Sequence, residues 1–181
     1  MRRWTLKLMR DDALLAAYGR GNALAFEVLY ERHKYAVFMF ISRQCEQRAI
    51  AEELAHDAWM AVISQASSFA QKASFKTWLF RIAHNRLVDH WRKHGSQAKV
   101  LFEELNDVHA AQATSVSESL ELQDLLSNLA SLSSEQTQAL LLKIEGFSHA
   151  EIADITNSKP ETVKSRLRYA SQHLRMQVEL L

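Results

Sequence analysis

Apolar residues recur three or four positions apart through "LLAAY", "FEVLYERHKYAVFMFI" and "AEELAHDAWMAVI", the repeat of one buried face of an α-helix. Residues near 11 to 95 therefore read as consecutive amphipathic helices of one bundle. After Gly95 the repeat fades: "GSQAKVLFEELNDVHAAQATSVSES" is rich in Ser, Ala, Gln and acids, which predicts a flexible connector at about residues 95 to 117. Periodicity then returns. Ser133 to Gln136, Ser148 to Glu151 and Ser158 to Glu161 have the spacing at which two side chains satisfy the free N–H groups of a helix start, so three helix starts are expected. The pattern predicts an all-α fold, with an amino-terminal helical bundle over 1–95 and a carboxy-terminal helix-turn-helix domain over 118–181. A flexible linker over 96–117 joins them.

Composition supports this fold, since four glycines and one proline are few for a sheet-rich chain with many tight turns. With 181 residues, 48% hydrophobic and 24% charged, the chain reads as a soluble globular protein that can bury a core. The lone Cys45 excludes an internal disulfide framework and a multi-cysteine zinc site, and it reads as a small buried apolar residue. The start "MRRWTLKLMRDDALL" is basic, but Lys7 and Arg10 interrupt its apolar run and no small-residue cleavage site follows. It reads as mature protein. No apolar segment is long enough to cross a bilayer, so no membrane insertion and a cytoplasmic location are expected.

The net charge of +1 says little, whereas its distribution says more. Lys76, Arg81, Arg86, Arg92 and Lys93 face only Asp89 in the first basic block. Lys159, Lys164, Arg166, Arg168 and Arg175 face only Glu161 in the second. Between the blocks stand Glu103, Glu104, Asp107, Glu118, Glu121 and Asp124. Two basic modules on an acidic connector suit a grip on one long polyanion.

In "EGFSHAEIADITNSKPETVKSRLRYASQHL" two short helices flank "TNSKP", where Asn157 or Ser158 can turn the chain and Pro160 suits a first helical turn. This is helix-turn-helix spacing. On the second helix Val163, Leu167, Ala170 and Leu174 should face inward, which turns Glu161, Ser165, Arg168 and Gln172 outward with Lys164 beside them. Arg or Lys can donate to guanine and Gln can pair with adenine. Ser can contact base or phosphate, and Arg166 on the flank can clamp a phosphate. A solvated basic face would show the same spacing.

The segment "FKTWLFRIAHNRLVDHWRKHG" separates into two faces in the same way. Phe75, Leu79, Ile82 and Ala83 share the inner one; Thr77, Arg81, Asn85, Val88 and Arg92 form an outer stripe with Trp78 at its margin. Guanidinium groups, an amide and a flat indole suit phosphates and unstacked bases.

This segment resembles the F-x-x-W-L-x-x-I-A-x-N-x-x-x-D-x-x-R signature of region 2 in bacterial extracytoplasmic-function (ECF) sigma factors. Upstream, "AFEVLYERHKYAVF" is similar to the first helix of that region and "AEELAHDAW" to its polymerase-docking segment; downstream, "LSSEQTQALLLKIEGFSHAEIADITNSKPETVKSRLRYASQHL" resembles region 4. The resemblance implies a dissociable initiation subunit that brings core RNA polymerase to selected promoter DNA. It matches Glu52, Glu53, Leu54, Asp57 and Trp59 to polymerase docking. It matches Trp78, Arg81, Asn85 and Arg92 to reading and opening the −10 element, and Lys164, Ser165, Arg166 and Arg168, with Gln172 added from the outward face, to the −35 element. The family commonly has an anti-sigma partner that masks the docking surface. Ile50 and His56 stand where the family often has an acid and Gln, and Glu161 replaces a common Gly; its spacing from Ser158 favours a cap over base contact.

Two other functions compete with this reading. A metal enzyme would use His84, Asp89, His90 and His94, but His84 lies on another face from His90 and no H-E-x-x-H pattern is present. No Ser/His/Asp order or phosphate-binding glycine loop is visible, so no enzyme, metal or cofactor is expected. A free-standing helix-turn-helix regulator would explain residues 133 to 175 but leave the Trp78–Arg92 stripe and the Glu52–Asp57 segment without a purpose.

Overall fold

The computed structural model describes residues 3–45, 47–66, 69, 73–94 and 132–178. The expected connector over 96–117, with its acidic residues, lies outside them. Among the described residues the regular structure is all helix: α1 (Arg3–Lys7), α2 (Asp11–Gly19), α3 (Ala23–Ser42), α4 (Arg48–Gln65), α5 (Phe75–His94), α6 (Ser134–Ile144), α7 (His149–Ile155) and α8 (Pro160–Val178).

The first five helices form a bundle in which α2 packs on α3, α3 on α4 and α4 on α5. Its core takes Leu14 and Leu15 from α2, Leu29, Val37, Phe40 and Ile41 from α3, Ala58 and Val62 from α4, and Phe75, Leu79, Phe80 and Leu87 from α5. Each such Leu or Phe contributes about 1.5–3 kcal/mol of burial, so the apolar stripes decide the packing. Cys45 joins this core, and burial pushes its thiol up to about 12. It stays protonated and inert at neutral pH.

Polar contacts lock the corners. Arg32 donates to the carbonyls of Lys7 at 2.7 Å and Met9 at 3.0 Å, satisfying acceptors that the end of α1 leaves open. It also pairs with Asp11, which hydrogen-bonds His33 at 2.7 Å. Burial opposes ionisation of Asp11, yet the His33 and Arg32 contacts outweigh it and hold the carboxyl below its ordinary value. Gly21, at φ +93°, ends α2: its N–H bonds the Tyr18 carbonyl at 2.8 Å and that of Asn22 bonds Ala17 at 3.1 Å.

The start of α5 is capped from two directions. Ser74 Oγ accepts from the Thr77 amide at 3.1 Å, while Asp12 Oδ1, a distant residue on α2, accepts from the Phe75 amide at 3.0 Å. Both receive otherwise orphaned N–H groups, and the carboxylate also meets the positive end of the helix dipole. Asp12→Ala is therefore expected to destabilise the bundle by about 1–2 kcal/mol, read as a lower urea midpoint with an unchanged slope.

Helices α6, α7 and α8 form the carboxy-terminal unit around Leu142, Phe147, Ile152, Ile155, Val163 and Ala170. Ser133–Gln136 and Ser148–Glu151 are reciprocal capping boxes, as their spacing predicts. The third expected box does not form. Pro160 opens α8 and Lys159 supplies the first helical carbonyl, bonded by Val163 at 3.1 Å. The helix start is thus one residue later than Ser158 requires. The Ser158 hydroxyl bonds Thr156 at 2.8 Å instead, and Glu161 bonds Lys164 at 3.0 Å. Asn157, at φ 48°, makes the turn.

Candidate polymerase and nucleic-acid interfaces

The apolar repeat of α4 sorts its matched residues. Leu54 and Trp59 turn into the bundle at 7% and 5% exposure, whereas Glu52, Glu53 and Asp57 lie on the solvent side. Glu52 is paired with Arg48 at 2.9 Å across one helical turn. Trp59 stands edge-on to Phe26 at 5.9 Å and to Tyr30 at 5.0 Å. Between α3 and α4 the Tyr30 and Trp59 rings border an open cleft of about 400 Å³, whose lining also includes Tyr35, Phe38, Glu52 and His56. The α3 wall escaped the sequence reading; Tyr30, Lys34 and Phe38, four apart on one helix face, carried its signal.

On α5 the inner face forms as expected, with Phe75, Leu79, Ile82 and Ala83 buried. The outer stripe is not uniform. Asn85, Val88 and Arg92 are exposed, and Arg92 bonds Asp89 at 2.8 Å. Trp78 is half-buried between Phe69, at 4.9 Å, and Phe75, at 6.1 Å. Thr77 is 2% exposed and departs from the stripe, because α7 lies over this end of α5; its hydroxyl contacts Ser74 at 2.9 Å and donates to Glu151 at 3.1 Å. Arg81 donates to Asp154 of α7 at 2.9 Å.

The histidines do not converge. His84 is 7% exposed with its Nδ1 unpaired, and burial, then the charge of Arg166, pushes it down to about 4. His90 and His94 stack at 4.4 Å, with His94 Nδ1 hydrogen-bonded to the His90 carbonyl at 2.9 Å. Among the described residues no group of three or more His, Cys, Asp or Glu could hold a metal ion.

On α8 the buried Val163, Leu167 and Ala170 hold the helix on α6 and α7. Lys164, Ser165, Arg168 and Gln172 are exposed, and Arg166 is half-buried at the flank nearest α5. Arg168 stacks its guanidinium 5.2 Å from the Tyr169 ring. A helix with an apolar base and this outward set presents donors and an amide in the arrangement that suits base edges.

Residues 29–97 match sigma-70 region 2, and residues 122–174 match sigma-70 region 4. The ECF RNA polymerase sigma factor SigK of Mycobacterium ulcerans is 30% identical over 173 residues, spanning 91% of this chain and 91% of SigK. The chain belongs to the ECF sigma factors. Another relative, BldN of Streptomyces coelicolor, is 28% identical over 80% of the chain, which spans 57% of BldN's length. The solved structure of the sigma factor RpoE from Bartonella quintana, crystallised with the anti-sigma factor NepR, has a TM-score of 0.66 at 27% identity and covers 85% of this chain and 96% of that one. The region 2 match removes the free-standing regulator, because this ECF sigma factor carries both halves of the family's machinery.

Proposed function

We propose that this sigma factor docks on core RNA polymerase through the solvent face of α4 and the cleft beside it, with Glu52, Glu53 and Asp57 supplying charge. Leu54 and Trp59 act from beneath: their burial makes them the floor that fixes those acids. Trp78, Arg81, Asn85 and Arg92 read and help open the −10 element, and Lys164, Ser165, Arg166, Arg168 and Gln172 contact the −35 element. The observation that carries this reading is the sorting of α8 and α5, in which apolar residues are buried and the matched amides and most matched cations face outward. Capturing bases on protein offsets an unstacking cost of a few kcal/mol per base. Two weak DNA contacts on one polymerase-bound chain act as one strong contact through effective concentration. Regions 2 and 4 are assigned to residues 1–95 and 118–181.

An anti-sigma protein is the expected inhibitor, as for the Bartonella quintana relative captured with NepR. The sigma-factor family is what supports a cytoplasmic place of action beside polymerase and a role as an initiation factor without catalysis of its own; no helix among the described residues is long and apolar enough to cross a membrane.

Run-off transcription by purified core polymerase on a template library tests the reading. Transcripts that need this chain and share two spaced upstream elements support it; DNA binding without polymerase binding or initiation sinks it. In the same assay Asn85→Ala impairs opening or −10 selection and leaves polymerase binding intact. Arg168→Ala weakens discrimination at one −35 position by about 1–3 kcal/mol, whereas equal weakening on every sequence would reassign it to a phosphate.

A further inference from the structure

Two histidines at the end of α5 have no part in the functions assigned so far. Ala83, Leu87, His90 and His94 follow one another at i, i+4, i+7 and i+11, so the histidines continue a buried row of the helix past the edge of the core. His90 is half-buried and His94 exposed. One turn apart on the same face, their rings stack with centroids at 4.4 Å and planes at 28°.

The hydrogen bond of His94 decides which of its nitrogens is free. Nδ1 lies 2.9 Å from the His90 carbonyl, and a carbonyl oxygen only accepts, so Nδ1 carries the proton and the neutral ring keeps its lone pair on Nε2. Metal-ligating imidazoles are oriented in this way, by a hydrogen bond from the second nitrogen. Partial burial, and next the charge of His94, hold His90 below its ordinary value, so protons compete little for that ring at neutral pH. The surroundings also favour a cation. The pair spans the last turn of α5, at the negative end of the helix dipole, and α4 packs alongside with Glu53 near enough for its carboxylate to act on His90. Asp89, the neighbouring acid, is engaged by Arg92. Among the described residues no third His, Cys, Asp or Glu closes a cage with the pair, so solvent completes the coordination.

We propose that His90 and His94 form a two-imidazole site for a divalent transition cation of the Zn²⁺, Ni²⁺ or Cu²⁺ class, placed so that its charge offsets Glu53 on the polymerase-docking face. Imidazole nitrogen selects these ions over Mg²⁺ and Ca²⁺, which prefer oxygen. The site stands on its own residues, whereas its effect on docking rests on the sigma-factor reading of α4. Two positive charges beside one of the three docking acids weaken the attraction to a basic partner surface, so the bound metal acts as a brake on polymerase binding.

Titration of the untagged full chain with Zn²⁺, in competition with a colorimetric chelator, tests the site. His90→Gln and His94→Gln should each lower the affinity about tenfold or more, while excess Mg²⁺ leaves native binding unchanged. Without metal both variants should keep a urea midpoint close to the native one, since neither substitution opens the core. Electron paramagnetic resonance of bound Cu²⁺ should count two coordinated nitrogens in the native chain and one in each variant. Equal Zn²⁺ affinity in all three chains, or a single coordinated nitrogen in the native one, would overturn the site. Fluorescence anisotropy against core polymerase should then show saturating Zn²⁺ weakening the native chain about threefold and the double variant not at all. Equal weakening of both chains would overturn the brake. A chain that never binds polymerase would overturn the sigma-factor reading instead, with the Zn²⁺ titration still deciding the site.

Discussion

Reversing Glu53 and Asp57 together to arginine lowers the affinity for core polymerase by roughly 150-fold, about 3 kcal/mol, and leaves the bundle folded. Both carboxylates face solvent one helical turn apart, so their removal opens no cavity and strands no buried partner. As like charges at i, i+4 they repel slightly already, and two arginines repel about as much, which keeps helix stability nearly level. Any large effect therefore belongs to the partner surface. Glu52 should matter less, because Arg48 already engages it in the free protein. Fluorescence anisotropy of labelled chain against core polymerase reads the change, with the urea midpoint as the folding control. A loss below threefold would remove this face from the interface. Trp59→Ala cannot serve as the test: truncating so buried an aromatic costs about 3–5 kcal/mol of stability and confuses docking with folding.

How far the sequence was legible follows from where each determinant sits. Periodicity placed Phe75, Leu79, Ile82 and Ala83 correctly because burial along a helix is a local pattern. Capping was legible at Ser133 and Ser148, where the side chains involved are three residues apart, and misread at Ser158, where Pro160 delayed the helix by one position. Thr77 was assigned to the outer stripe for a different reason: the residue that covers it, Glu151, comes from another module and no local pattern announces it. Asp12 capping α5, within the same bundle, and Phe147 against Phe80 are likewise contacts far apart in sequence that no local pattern announces. The resemblance singled out the acids that α4 turns to solvent, but the α3 wall of the cleft beside them became visible only when two helices were set side by side.

His84 makes stability fall on mild acidification, by an amount on the order of 3 kcal/mol. Burial against α5's neighbours, and next the cation of Arg166, push its folded pKa from an ordinary 6.5 down to about 4. The unfolded chain therefore holds the extra proton throughout that window. Since the state that binds more protons gains as pH falls, the folded state starts to lose stability below about pH 6.5, and the loss is complete near pH 4. Asp11, Glu135 and Glu151, whose folded pKa values are lowered, add losses of the same sign, but these begin nearer the ordinary carboxylate range. His90 is shifted downward by partial burial and then by His94, and solvent screens its share. The measurement is urea unfolding from pH 7.5 to 4.5 for the native chain and for His84→Leu. The difference between the two curves should change by about 2–3 kcal/mol across that range, whatever offset the substitution itself introduces. Parallel curves would mean that the His84 ring takes up its proton without unfolding the contact around it, and that the Arg166 flank opens readily enough to let water in.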